Sequence, residues 1–200
     1  MNEIGMLFQK ADYETRDGNF QKAINHYQRI LKLSSEDIRS QHLAHWGIGD
    51  IYLNQGQYEQ AEHHLSKAVK LDPGQWMYRY LLGCTYTYME EIDKAISELE
   101  KAASLNDSES IVWGQLGWVV GHNRDIDKGI EFLKRSLSLN PSNTRSLRDI
   151  CMLYAQQLMF KEALVCIEEA EKWEPENPEI ERIRQDIEMF QKHLKRSSDW

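Results

Sequence analysis

The chain has 200 residues, 41% of them hydrophobic, and sets 32 acidic side chains against 24 basic ones for a formal net charge of −8. That balance argues against a nucleic-acid binder, which needs a concentrated Lys/Arg surface to release counterions from phosphates, and equally against an anionic membrane surface. Three cysteines far apart (Cys84, Cys151 and Cys166), with no Cys-x-x-Cys pair, read as reduced thiols of a cytoplasmic protein rather than a disulfide framework. The first thirty residues hold no continuous apolar stretch and so show no signal peptide. The most apolar run, Ile111 to Gly121, is too short to insert across a bilayer. With four prolines and almost no β-branched alternation, the composition is all-α.

Along the chain, apolar spacing and turn residues predict five helix pairs, A and B in each. They lie at 2–16 and 19–33, 37–55 and 58–71, 76–89 and 92–105, 109–122 and 125–139, and 143–156 and 159–173. Turns fall at Asp17-Gly18-Asn19, Gln55-Gly56, Asp72-Pro73-Gly74, Asn106-Asp107 and Asn140-Pro141. Pro178 opens a last helix, 178–195, with Ile180, Ile183, Ile187, Phe190 and Leu194 on one stripe and Glu179, Arg182, Arg184, Asp186, Lys192 and Lys195 around the rest. Such a helix hides the open apolar face of the preceding pair, the favoured reading, or forms a short coiled-coil dimer.

The pairs repeat in register. The segments Phe20-x-x-Ala23, Tyr58-x-x-Ala61, Ile92-x-x-Ala95, Ile126-x-x-Gly129 and Phe160-x-x-Ala163 place their small residues 38, 34, 34 and 34 positions apart. Three sites per repeat are small: Ala11, Gly49, Gly83, Gly117 and Cys151; then Ala23, Ala61, Ala95, Gly129 and Ala163; then Ala68, Ala102, Ser136 and Ala170, with Ile30 the exception. Helices approach closely only where side chains are small, and a generic bundle has no such grid. The four extra residues between the first two repeats are expected to lengthen the third helix, with Ser34 or Ser35 as its N-cap.

The 34-residue period, with Ile48-Gly49-x-x-Tyr52, Leu82-Gly83-x-x-Tyr86, Trp113-x-x-Leu116-Gly117 and prolines at 73, 141 and 175, resembles the tetratricopeptide repeat. That resemblance implies an all-α, right-handed α-solenoid, one domain over 1–200 with repeats near 4–37, 42–75, 76–109, 110–143 and 144–177. It implies a protein–protein interaction scaffold or adaptor, monomeric or weakly self-associating, that holds a peptide or helix in a concave groove lined by A helices. Carried onto this sequence, the groove comprises Phe8, Trp46, Asp50, Met77, Tyr80, Tyr88, Trp118, His122, Arg145, Arg148 and Met152. The basic clamp with which some members grip a C-terminal carboxylate falls on Phe8, Asp12, Met77 and Leu81, and is absent. Its place is taken by aromatics, which serve either as ligand anchors or as packing between neighbouring A helices. A self-assembling scaffold and a regulatory subunit of an enzyme complex are the alternative functions.

No catalytic activity and no cofactor are expected, because nucleotide loops, nucleophile elbows and His-Glu-x-x-His are all missing. His42, His45, His63 and His64 gather in one repeat but lack the motif of a metal site, so no metal is expected. Cys84 falls on the groove face and is expected to be a packing cysteine. The glutamates between Glu168 and Glu181 read as a solvated helix surface.

Overall fold

The computed structural model describes residues 2–197, with side chains through residue 193, so the side chains of Leu194 and Lys195 lie outside the described residues. The described residues form helices and no strand. The helices are α1 (Glu3–Arg16), α2 (Phe20–Leu33), α3 (Ile38–Asn54), α4 (Tyr58–Leu71), α5 (Trp76–Tyr88), α6 (Ile92–Leu105), α7 (Ser110–Asn123), α8 (Ile126–Leu139), α9 (Thr144–Gln156), α10 (Phe160–Trp173) and α11 (Pro178–Ser197). The odd-numbered helices from α1 to α9 are the A helices, and α2 to α10 are the B helices. The four additional residues enter α3, which has 17 residues against 13 in α5 and in α9. Its N-cap is Asp37, not Ser34 or Ser35. The Asp37 carboxylate accepts from the Ser40 amide, and a carboxylate at that position also favours the positive end of the helix dipole. Ser34 instead follows α2 and is buried, its carbonyl accepting from Asp37 N and Gln41 Nε2.

The chain divides into two compact units, Met1–Asn106 with α1 to α6 and Asp107–Trp200 with α7 to α11. In the first, each A helix packs on its own B helix, and α2 and α4 pack on the A helix that follows. In the second, α7 to α11 pack in the same succession. A helices also meet directly, α3 with α5 and α7 with α9, so they form the inner layer of each unit and B helices the outer one. Helix α11 packs on α10 and α9 as a further A helix would. Its Ile180 and Ile187 are buried and Ile183 packs with them against Ala163, Ile167 and Ala170.

Every residue of the small-residue grid is buried. A Cβ on Gly49, Gly83 or Gly117 would lie 2.7–2.8 Å from the branch carbon of Leu65, Leu99 or Leu133 respectively. Those three leucines are fully buried, each worth roughly 1.5–3 kcal/mol of transfer free energy. A single register therefore fixes both contact and core: a missing side chain on A admits a leucine from B. Where the grid carries Ser136 instead of alanine, its buried hydroxyl donates to the Ser110 carbonyl at 2.8 Å and accepts from Asn143 Nδ2 at 3.2 Å. Four of the turns from A to B pass through a left-handed residue, Gly18 and Gly56 in the first two repeats, Glu90 (φ 60°) in the third and Leu158 (φ 61°) in the fifth.

Candidate functional site

On the A-helix face of the first unit, α1 and α3 each carry an aromatic side chain with an aspartate one turn later: Phe8 with Asp12, and Trp46 with Asp50. Phe8, Asp12 and Asp50 act on Tyr27 of α2, whereas Trp46 packs against Tyr78. Phe8 meets the Tyr27 ring edge-on at 6.1 Å, and the Tyr27 hydroxyl donates to Asp12 Oδ1 at 3.1 Å. Gly47 leaves room for that ring, since a Cβ there would stand 2.5 Å from its Cζ. Burial pushes the Tyr27 phenol far above its usual range, and the nearby carboxylates of Asp12 and Asp50 push it further. Asp50 is half-buried and burial raises its pKa; Asn54 Nδ2 donates to it at 3.4 Å.

Trp46 is half-buried, tilted against Tyr78 at 6.1 Å. Its indole Nε1 is buried with no hydrogen-bond partner among the described residues. Met77 and Tyr80 on α5 are half-buried, Tyr80 lying 6.3 Å from Trp76. Tyr88 is exposed and stacks in parallel on Tyr58 at 5.2 Å, which holds it at the turn into α4.

In the second unit, Trp118 stacks on His122 at 5.0 Å. His122 donates through Nδ1 to the Trp118 carbonyl at 3.0 Å, and its Nε2 is buried without a partner among the described residues. Arg145 donates to Gln115 Oε1 at 3.1 Å. Arg148 is paired with Glu179 at the start of α11, so its charge is already matched. Next to Arg148 is Asp149, 8% exposed, whose carboxyl is pushed up to about 6 by burial and partly restrained by Arg145 and Arg148. Sequence reasoning passed over Asp149; its position four residues after Arg145, on the same helix face, was the available signal. Met152 lies with Leu158, Phe160 and Phe190 in an apolar cleft where α9, α10 and α11 meet.

Of the four histidines, His42 stands apart, while His45, His63 and His64 lie together, His63 edge-on to His64 at 5.2 Å. His42 Nδ1 lies 2.9 Å from the Tyr78 hydroxyl, whereas His45 and His64 share a hydrogen bond between their Nδ1 atoms at 3.0 Å. Burial, with Lys67 and His63 nearby, depresses the pKa of His45 and of His64 to about 4, so both are neutral at pH 7. Among the described residues, no three His, Cys, Asp or Glu side chains converge on a metal position. Cys84 is buried within α5. Of the C-terminal glutamates, Glu171 takes both guanidinium contacts from Arg184, at 2.9 and 2.6 Å, and Glu174 accepts from Thr144 and Asn177. Among the described residues, no helix is long and apolar enough to cross a membrane.

Helix pairs stacked through a registered small-residue seam, with A helices inward, define a tetratricopeptide-repeat protein, the fold of protein–protein interaction scaffolds. Solved tetratricopeptide-repeat structures superpose on it. MamA aligns with a TM-score of 0.72 at 26% identity, covering 82% of this chain and 94% of MamA. TTC0263 of Thermus thermophilus gives 0.73 at 18% identity over 93% of this chain and 99% of that one. YrrB, described as having an unusual peptide-binding site, gives 0.71 at 18% identity over 90% of each chain. The chain belongs to the family of the cilia and flagella-associated protein 70 C-terminal domain, which it matches over residues 5–200. Superkiller protein 3 of Schizosaccharomyces pombe (strain 972 / ATCC 24843) is 35% identical over 65 residues, 32% of this chain and 4% of that protein's length.

Proposed function

We propose that the A-helix faces bind a polypeptide partner as a peptide or helix, making the chain a non-enzymatic adaptor. The observation that carries this reading is the set of half-buried aromatics on those faces, Phe8 and Trp46 in the first unit and Trp118 in the second. Trp and Tyr are also the side chains that dominate binding energy at interfaces. A peptide-binding site in YrrB, which has the same fold, supports the reading. In the first unit, three A helices about 8–10 Å apart would seat an extended segment of roughly six to nine residues. The buried thiols Cys84 and Cys151 fit a reducing compartment such as the cytoplasm.

The test is site-specific photo-crosslinking. A benzophenone side chain at Met77, on the A face, should trap a partner in cell extract, and the same group at the exposed Glu100 of α6 should not. Equal trapping at both positions, or trapping only at Glu100, would place the interface elsewhere.

A further inference from the structure

We propose that the A-helix face of the first unit selects a cationic segment, seating Lys or Arg side chains on its two aromatic–carboxylate pairs. This inference rests on the adaptor reading above and specifies its partner. Phe8 and Asp12 stand in the same register to Ala11 as Trp46 and Asp50 do to Gly49, so the chain presents one device twice on neighbouring repeats. Residues four apart on a helix share a face. An aromatic ring beside a carboxylate offers a cation its two favourable contacts at once, the ring quadrupole and a charge-assisted hydrogen bond.

The carboxylates lack a cation of their own. Asp12 accepts from the Tyr27 hydroxyl and Asp50 from Asn54, both neutral groups. Among the described residues, no Lys, Arg or His nitrogen comes within 4.0 Å of either. Arg16, one turn beyond Asp12, is exposed at the end of α1 and makes no such pair, and Arg79 of α5 is engaged by Glu98 at 2.8 Å. Asp50 is half-buried, and an ionised carboxylate removed from water without a counter-ion is costly, so an arriving ammonium or guanidinium relieves it. Neighbouring A helices stand about 8–10 Å apart. A polyproline-type segment, with three residues per turn and about 3.1 Å per residue, turns every third side chain to the same side at about 9 Å. The preferred ligand therefore carries basic residues at i and i+3 with apolar residues between.

The probes are fluorescein-labelled twelve-residue peptides bearing Arg, Gln or Glu at every third position of one apolar background, titrated with the full chain and read by anisotropy. The Arg peptide should bind at least tenfold tighter than the other two. Asp12→Asn with Asp50→Asn, and separately Asp12→Lys at its exposed site, should each weaken it about tenfold or more without lowering the melting temperature. Trp46→Ala should weaken it as well, whereas Glu59→Gln with Glu100→Gln, which removes the same charge from the outer layer, should leave it unchanged. Loss of binding in that outer-layer control shows attraction to net charge alone and overturns the proposal. Binding of the Gln or Glu peptide as tight as the Arg peptide, and weakened by Trp46→Ala, overturns the cationic preference while leaving the adaptor face intact. If Trp46→Ala affects none of the three peptides, the face itself is refuted.

Discussion

Replacing Gly83 by alanine isolates the contact on which each repeat depends. In an ordinary helix interior this change is favourable by about 0.8–1 kcal/mol, because glycine holds more freedom in the unfolded chain. Here the added Cβ would stand 2.7 Å from Leu99 Cγ, 3.0 Å from its Cδ2 and 3.3 Å from the Ala95 carbonyl oxygen. Carbon atoms prefer about 3.5–4.0 Å, so α5 and α6 must separate by nearly an ångström or Leu99 must leave its rotamer. Overpacking of this kind costs about 1–3 kcal/mol, enough to reverse the sign of the helix preference. Urea denaturation followed by circular dichroism should show Gly83→Ala destabilised. Leu99→Ala alone should cost about 2–5 kcal/mol, and the double variant less than the sum, because truncating Leu99 makes room for the methyl. A more stable Gly83→Ala, or strict additivity with Leu99→Ala, would refute the register.

Three further predictions concern groups whose local environment opposes them. Leu158 is 62% exposed in a left-handed turn, so Leu158→Gly should stabilise the chain by about 1 kcal/mol, measured as a rise in denaturation midpoint. Asp149 has a folded pKa of about 6, above the ordinary 3.8, so its contribution is favourable below pH 3.8 and lost as the pH rises through 6. Asp149→Asn should therefore raise stability at pH 7 by on the order of 2 kcal/mol or less, with the gain vanishing near pH 4. His45 and His64 have the opposite sign. Their folded pKa values lie near 4 against 6.5 unfolded, so the unfolded chain takes up protons first and stability falls between pH 6.5 and 4. His64→Phe should flatten that fall, as read from melting temperatures across the range.

The repeat architecture was legible because it is written in small residues, and a glycine or alanine at a fixed interval has few other reasons to recur. Helix limits followed to within one or two residues from apolar spacing and the turn residues between helices. Asp37 escaped as the cap of α3 because Ser34, Ser35 and Asp37 are all competent caps, and only the backbone path decides which oxygen faces the free amides. Functional side chains are harder to read from sequence, since a stripe assignment states which face a residue takes but not what meets it there. Arg148 reads as an open charge in the sequence, whereas α11 brings Glu179 to it, and no motif records that Tyr88 stacks on Tyr58. The pairing of Asp12 with Tyr27 depends on a contact between α1 and α2 that no motif records.

The measurement that bears most directly on the A-helix faces as binding surfaces is affinity and stability determined together on Trp46→Ala and Trp118→Ala. Against a partner trapped on the A face of its own unit, each variant is predicted to bind about thirtyfold more weakly, roughly 2 kcal/mol, while its melting temperature stays within a few degrees of the parent chain. Both indoles are only half-buried, so their removal should open little cavity. A stability loss of about 3–5 kcal/mol in both variants, with binding lost only in proportion to the unfolded fraction, would make them core residues and contradict the account.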